Sequence, residues 1–268
     1  MNKILVLAVC SVLFLTGCFE STTLITVRKD GSGQILQRTY ISPQAQQSMA
    51  AFAAISQVRN GAANMPRINM TSNDMKQAAA DMGEGVTLVK LRKLQKDGGW
   101  EGTETMFAFK DINNLKVSMN PDAVASGSVA SRTVKPFQFT KGANPTLSIT
   151  IPHDKINVPH TGIGSDPASR AIVQKIMEGA KISLFVEAAG QITDSDATFI
   201  SASANSRFKN RITILDVNMD DILTNPDGLD LLDQLSDATK AKEARLKLAK
   251  EVEGIKIENK DKVFLTFR

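Results

Sequence analysis

Cysteine is almost absent from this chain of 268 residues. Its two cysteines, Cys10 and Cys18, both lie close to the amino terminus. Exported domains that are too small for a good core usually depend on disulfides. Residues 18–268 are long enough to bury roughly 70% of the unfolded surface without them. The sequence therefore excludes a disulfide scaffold.

Aromatic residues are scarce as well, at 5% of the chain with one tryptophan and one tyrosine. The formal charge is only +4, because 32 basic residues are set against 28 acidic ones. A nucleic-acid-binding surface needs a concentrated basic stripe with interleaved aromatic rings. A sugar-binding cleft also needs rings as stacking platforms. The composition therefore argues against nucleic acid as a partner and makes a sugar-binding cleft less favoured.

Histidine occurs twice, at His153 and His160, in a segment bracketed by prolines. A metal site would need a third or fourth ligand, which Asp154 or Asp166 could supply. The two histidines are seven positions apart and do not form the i, i+4 pair of a helical metal motif. We interpret them as solvated loop residues and expect neither a metal nor another cofactor.

Two aspartate-rich segments fall short of a calcium loop. Around Gly228, Leu223 occupies a position where an EF-hand needs an oxygen ligand, and Gln234 occupies the position that needs a bidentate glutamate. Around Gly31, Arg28 breaks the pattern in the same way. Both segments are better interpreted as turns. The chain also has no Walker A sequence and no Gly-x-Ser-x-Gly elbow.

The amino-terminal residues follow the order of an export signal. A cationic start at Met1–Lys3 precedes an apolar or small run over Ile4–Leu15. A membrane-spanning helix needs about 20 apolar residues, so this run matches a signal peptide better. The sequence Leu-Thr-Gly-Cys that ends at Cys18 resembles the bacterial lipobox. This resemblance implies cleavage before Cys18 and acylation of that cysteine, which would anchor the chain to a membrane.

Residues 1–17 are thus predicted to be a lipoprotein signal peptide. The expected location is the cell envelope, with the domain facing the periplasm or the exterior. The residue after the anchor is Phe19 rather than the aspartate that some bacteria use as a retention signal. The outer membrane is therefore favoured in a host with two membranes.

Hairpin patterns separated by helices predict an α+β fold with a mainly antiparallel sheet and helices packed on it. We expect an α+β domain over residues 18–225 and a carboxy-terminal part over 226–268 that belongs to the same globule. The predicted strands alternate apolar and polar residues and are joined by glycine- or asparagine-rich turns. The predicted strands cover 22–29, 34–41, 86–96, 101–110, 134–140, 146–151, 181–187, 211–217, 254–258 and 263–267, and an extended segment covers 191–203. A helix is predicted to begin at Ser42–Pro43, with Ala45, Met49, Phe52 and Ser56 facing inward. Further helices are predicted from Thr71 or Ser72 to Met82 and at 111–115, 165–178, 220–224 and 229–252. Residues 120–132 are predicted to form a loop.

The predicted helix 229–252 is the longest and supports two interpretations. Its apolar side would carry Leu232, Leu235, Thr239, Leu246 and Val252. A basic cluster beside that side could lie on anionic lipid headgroups. Acidic residues dilute this cluster, so a helix packed on the sheet with a solvated charged face is favoured. The basic cluster is Lys240, Lys242, Arg245, Lys247 and Lys250.

The order of segments over residues 18–217 resembles the LppM-type lipoprotein domain of bacterial envelopes. The resemblance implies an envelope-anchored, non-catalytic domain that contacts lipids, and it brings no catalytic residue with it. The segments that carry it are Cys18, Asp30-Gly31-Ser32-Gly33, Asp97-Gly98-Gly99-Trp100-Glu101-Gly102, Phe107-Ala108-Phe109-Lys110-Asp111, Phe137-Gln138-Phe139-Thr140, Ile182-Ser183-Leu184-Phe185-Val186, Gly190-Gln191-Ile192-Thr193 and Arg211-Ile212-Thr213-Ile214.

Three functions remain open at this point. The first is a non-enzymatic, lipid-anchored envelope protein that binds a lipid, another amphiphile or a protein partner. The second is a hydrolase of envelope polymers that uses an Asp/Glu pair, since such pairs form only in the folded chain. The third is a structural or assembly factor of the envelope.

Overall fold

The structure is a computed structural model that describes residues 19–46, 71–119, 135–151, 174, 177–204, 206–235, 237 and 239–268. Several predictions concern other residues and lie outside these ranges. They are the signal peptide with Cys18, the inward positions Met49, Phe52 and Ser56, the loop 120–132, both histidines, and all of the helix 165–178 except residues 174, 177 and 178.

A large sheet brings together eight of the described strands. Their order is β11-β10-β7-β1-β2-β4-β3, and β9 pairs with β10 beside this path. Most neighbours are antiparallel, and the prediction of an α+β fold with a mainly antiparallel sheet is confirmed. The strands are β1 (Phe19–Val27), β2 (Gly33–Ile41), β3 (Thr87–Lys96), β4 (Trp100–Phe109), β7 (Lys181–Ala188), β9 (Ile200–Ala202), β10 (Lys209–Asn218) and β11 (Lys256–Ile257).

One pair in the large sheet is parallel, and it involves the first strand. β1 pairs antiparallel with β2 on one side and parallel with β7 on the other. Its residues from Thr22 to Val27 are mostly β-branched, which suits a strand that has neighbours on both sides. β1 therefore lies in the interior of the sheet, and its first residue, Phe19, lies at one end of the strands.

Four of the described strands form the second sheet, in the order β5-β6-β12-β8. All three of its ladders are antiparallel. The strand from the end of the chain, β12, therefore lies between two strands from the middle of the chain. The strands are β5 (Phe137–Thr140), β6 (Thr146–Thr150), β8 (Ile192–Ser195) and β12 (Lys262–Phe267).

The two sheets contribute to one hydrophobic core. Ile25 and Phe107 of the large sheet and Leu147 and Phe267 of the second sheet are fully buried members of a single cluster. Asn113, in a 3₁₀ turn after β4, also ties the sheets together: Phe139 donates its backbone N–H to the Asn113 side chain at 2.7 Å. The second sheet therefore lies near the end of the large sheet that is opposite to Phe19.

Four α-helices have described bounds: α1 (Ser72–Met82), α2 (Met219–Thr224), α3 (Gly228–Gln234) and α4 (Ala241–Glu251). Thr71, one of the two residues that the sequence offers as the cap, caps α1 through a capping box with Asp74. Ser42 caps a helical start at residues 43–46, where its hydroxyl accepts from the backbone of Ala45 at 3.1 Å. The short helix predicted at 220–224 is α2.

The predicted long helix 229–252 is wrong, because the chain forms α3 and α4 instead. Between them the carboxylate of Asp237 accepts from the backbone N–H of Thr239 at 2.9 Å and from its hydroxyl at 2.7 Å. Such local side-chain bonds compete with helical hydrogen bonds. The break changes the buried side, so Leu246 is 47% exposed whereas Leu248 is buried.

The last two predicted strands, 254–258 and 263–267, are expected from the sequence to form a hairpin, and this prediction is also wrong. β11 pairs with β10 in the large sheet, and β12 pairs with β6 and β8 in the second sheet. The buried carboxylate of Glu258 holds the crossing between them, because it accepts from the backbone N–H of Thr198 at 2.7 Å and from that of Asn259 at 3.1 Å. The two last strands therefore extend different sheets rather than pairing with each other.

Candidate functional site

The large sheet has one face toward the core and one face outward. Along β1, Ser21, Thr23, Ile25 and Val27 are buried, whereas the residues that alternate with them are half-buried. We call the side of these alternating residues the outer face. Cross-strand register places Tyr40 and Arg38 of β2, Gly102 and Glu104 of β4, and Leu94 and Arg92 of β3 on it.

A buried carboxylate collects three cations on this outer face, and we call the group the Glu104 cluster. The Glu104 carboxylate accepts from Arg38 Nε at 2.8 Å and from Arg92 through two nitrogens, at 2.8 and 3.1 Å. Lys90 Nζ lies 3.3 Å from the same carboxylate. The carboxylate is 3% exposed, while the three cationic side chains are nearly half-exposed. One negative charge against three positive ones leaves two positive charges in excess.

The cations hold Glu104 in its ionised form. The hydrogen bonds from Arg92 are the largest cause, those from Arg38 and Lys90 add to them, and together they lower the pKa of Glu104 to about 2 against the opposing effect of burial. The carboxylate in turn raises the pKa of Arg92. Glu104 is therefore ionised at neutral pH and pairs with three cations that are nearly half-exposed.

A second group lies at the end of the strands where β1 begins, and we call it the Tyr40 cluster. Lys96 Nζ lies 4.4 Å from the centre of the Tyr40 ring and 5.3 Å from that of the Trp100 ring. The same ammonium pairs with the carboxylate of Glu20, the second residue of β1. The only tyrosine and the only tryptophan of the sequence therefore share one cation.

Gly102 makes room for the Tyr40 ring. A Cβ atom at this position would lie 2.6 Å from Tyr40 Cδ1 and 2.5 Å from the backbone oxygen of Thr39. Any side chain here would push the ring away from Lys96. The glycine that follows Trp100 and Glu101 in the sequence is thus part of the cluster.

Gly102→Ala is expected to destabilise the protein by about 1–3 kcal/mol, because the new methyl group overpacks against backbone and ring. Chemical denaturation followed by circular dichroism measures the change. Gly142→Ala is the matched control, since a Cβ atom there meets no heavy atom closer than 4.0 Å. Equal effects of the two substitutions would contradict the packing that we describe at Gly102.

The sequence-based candidates that the structure describes lie in turns. Cys18, His153 and His160 lie outside the described residues. Asp30 forms a turn, in which hydrogen bonds from Ser32 lower its pKa. Asp227 lies in another turn, where its backbone N–H donates to the Asn225 side chain. Within the ranges that the structure describes, no three histidine, cysteine or carboxylate groups are placed to hold a metal ion.

The basic cluster predicted in the carboxy-terminal region does not form one exposed face. Arg245 is 5% exposed and lies on the buried side of α4 with Ala241, Ala244 and Leu248. Lys247 pairs with Glu243 at 3.1 Å.

The buried carboxylates of the described segments give little support to acid–base chemistry. They are Glu104 and Glu258. A general acid needs a raised pKa, but the pKa of Glu104 is lowered. Glu258 is used by hydrogen bonds from Thr198 and from the backbone that follows it.

Sequence reasoning missed both clusters on the outer face. Part of the Glu104 cluster could have been predicted from the sequence, because the turn at 97–99 fixes the register of the β3–β4 hairpin. This register places Arg92 opposite Glu104 and Lys96 opposite Trp100. The alternation of Lys90, Arg92 and Lys96 on one face was the available signal. Arg38 comes from a distant part of the sequence, so no local pattern could place it.

In the part of the chain that the structure describes, no helix has the length and apolar character that a membrane crossing requires. No family model matches the chain, and no curated protein matches it either. Among solved structures, it is similar to the folded domain of Mycobacterium tuberculosis LppM, determined by NMR. The identity is 12%, the match covers 75% of this chain and 85% of that chain, and the TM-score is 0.30. The match is a distant structural relation and carries no information on function.

Proposed function

We propose that this chain is a lipid-anchored protein of the bacterial envelope whose α+β domain is a non-enzymatic binding module. The observation that carries the proposal is the Leu-Thr-Gly-Cys sequence that ends at Cys18, directly after a short apolar run. The first strand begins at Phe19, the next residue. Acylation of Cys18 would thus attach the folded domain to the membrane with no intervening linker.

The chemistry of an acyl anchor supports stable attachment. Each buried CH₂ group contributes about 0.8 kcal/mol, so two or three acyl chains hold a protein on a bilayer where a single one does not. The domain would face the periplasm or the exterior, and we propose the outer membrane for a host with two membranes. We propose a lipid, another amphiphile or an envelope protein as its partner, and no cofactor.

Labelling with a palmitate analogue tests the anchor. We expect the wild-type chain to be labelled and recovered with membranes, whereas Cys18→Ala is neither labelled nor recovered there, because the acceptor thiol is gone. Cys10→Ala is the matched control: it removes the only other cysteine, which lies in the predicted signal peptide, and should leave labelling unchanged. An unlabelled wild-type chain would refute the proposal.

A further inference from the structure

We propose that the outer face of the large sheet, at the end where β1 begins, lies against the surface of the bilayer that holds the anchor. The contact would combine the Tyr40 cluster with the Glu104 cluster, and its occupant is a bilayer that contains anionic phospholipid. This inference rests on the proposed acylation of Cys18. It adds a defined orientation of the domain to a simple tether.

The strand directions place the Tyr40 cluster beside the anchor. Phe19 is paired with Ile41, and Glu20 with Tyr40, so the start of β1 and the end of β2 lie together. Gly102 continues the same row on β4, because it is paired with Tyr40. Strands lie about 4.8 Å apart, so Tyr40 is one strand away from the residue that follows Cys18.

The side chains at this position match a membrane interface. Tyrosine and tryptophan are enriched where a bilayer meets water, because their rings have an apolar body and a polar tip. The Lys96 ammonium lies beside both rings and neutralises the nearby carboxylate of Glu20. Both rings are half-buried in the protein and leave part of their surface open. The only tyrosine and the only tryptophan of the sequence both lie in the Tyr40 cluster.

The charges of the outer face point to anionic headgroups. Glu20 is neutralised by Lys96, and Glu104 is outnumbered by Arg38, Arg92 and Lys90. These three cations remain nearly half-exposed although they already share a carboxylate. Guanidinium groups with free donors bind phosphate oxygens well.

The opposite side of the same strands would be a poorer contact. Glu101 alternates with Trp100 and Gly102 along β4, and it is paired with Ile41, a residue of the core-facing side. Asp97 lies in the turn between β3 and β4. These two acids favour an orientation in which the outer face, rather than the tips of the strands, approaches an anionic surface.

Tryptophan fluorescence tests the orientation, because Trp100 is the only tryptophan of the full chain. The acylated protein is reconstituted into vesicles that contain phosphatidylglycerol and phosphatidylcholine brominated on the acyl chains near the headgroup. Flotation first shows that the protein is bound to the vesicles. We expect strong quenching of Trp100 by the brominated lipid.

A tryptophan moved to the other side of the molecule is the control. Trp100→Phe combined with Gln138→Trp places the probe on an exposed position of β5, in the second sheet. We expect several-fold weaker quenching there. Floating protein with equal quenching at the two positions, whether strong or weak, would overturn the orientation and leave the anchor intact. Protein that does not float would overturn the anchor and the orientation together.

Two lysines on β3 test the charges. Lys90 belongs to the outer face, whereas Lys93 is paired with Thr103 on the other side of the strand, and both are exposed. Lys90→Gln should lower the equilibrium constant for association of the protein with phosphatidylglycerol vesicles about fivefold. Lys93→Gln should change this constant by less than about twofold. Equal losses from the two substitutions, or contact that is insensitive to anionic lipid, would overturn the choice of face.

Discussion

Phe267→Ala is expected to lower the free energy of unfolding by about 3–5 kcal/mol, the usual cost of removing a fully buried phenylalanine ring. Phe267 is 0% exposed and its ring centre lies 6.4 Å from that of Phe139. It is the penultimate residue, yet it lies in a central strand of the second sheet. Such a loss is a large part of the stability of an ordinary domain.

The same strand provides the control. Phe264 is half-buried on the other face of β12, so Phe264→Ala should cost about 1 kcal/mol. Urea unfolding is followed by circular dichroism and by the fluorescence of Trp100, which is in the large sheet. We expect both probes to shift together in Phe267→Ala, because the two sheets share one hydrophobic core.

This experiment also tests whether the two sheets unfold as one unit. Separate transitions, with an unchanged Trp100 signal and a shifted circular dichroism signal, would show that the second sheet unfolds independently. Equal costs of the two phenylalanine substitutions would contradict the burial of Phe267.

Glu104→Gln is expected to destabilise the protein by about 3 kcal/mol at pH 7. The physical reason is that the pKa of Glu104 is about 2 in the folded state against an ordinary value of 4.5. Each unit of difference corresponds to about 1.4 kcal/mol in favour of the folded state when the carboxylate is ionised. The substitution keeps the shape of the side chain but leaves Arg38, Lys90 and Arg92 without their common anion.

The pH dependence gives a second, independent check. A carboxyl whose pKa is lowered by folding stabilises the folded state above its unfolded pKa and loses this effect as the pH falls toward its folded pKa. The contribution of Glu104 is therefore complete above about pH 5 and declines toward pH 2. Near pH 3 the difference between the wild type and Glu104→Gln should shrink from about 3 to about 1 kcal/mol.

Glu101→Gln is the control for this prediction, because Glu101 is an exposed acid on the same strand. Its effect should stay within about 0.5 kcal/mol at both pH values. Urea midpoints at pH 7 and pH 3 measure all three proteins. A difference between the wild type and Glu104→Gln that is the same at both pH values would show that the three cations do not lower the pKa of Glu104.

The predictable part of the fold was its local part. The β1–β2 and β3–β4 hairpins depend on turns within a few residues of their strands, and the sequence predicts both hairpins, with turns at 30–33 and 97–99. The cap at Thr71 was predictable for the same reason, since it needs only the next three residues. Such elements follow from turn chemistry and from alternation along the strand.

The strand pairing was predicted wrongly where a strand pairs with a partner that is distant in the sequence. β11 and β12 are close in the sequence, and their spacing is typical of a hairpin. They separate because β10 offers an edge to β11, and because β6 and β8 leave a gap that β12 fills. The break between α3 and α4 was missed for a different reason: the hydrogen bonds of Asp237 outweigh a helical periodicity that continues through it.

The Glu104 cluster also has a part that local sequence predicts and a part that depends on distant strands. Arg92 and Glu104 face each other across a predicted hairpin, so their pairing could have been derived from its register. Arg38 reaches Glu104 only because β2 pairs with β4, which joins parts of the chain 66 positions apart. Burial of the carboxylate, and with it the lowered pKa, depends on this non-local pairing.

The interior position of β1 has a mechanical consequence. If the chain is held at residue 18 and the domain is pulled toward the far end of the strands, the force acts along the length of β1. The strand is joined to β2 by nine paired residues and to β7 by eight. A pull along the strand loads these ladders in shear, so many hydrogen bonds must fail together instead of opening one after another. The strand next to the anchor is thus placed to resist tension, with the rate of forced unfolding as its measure.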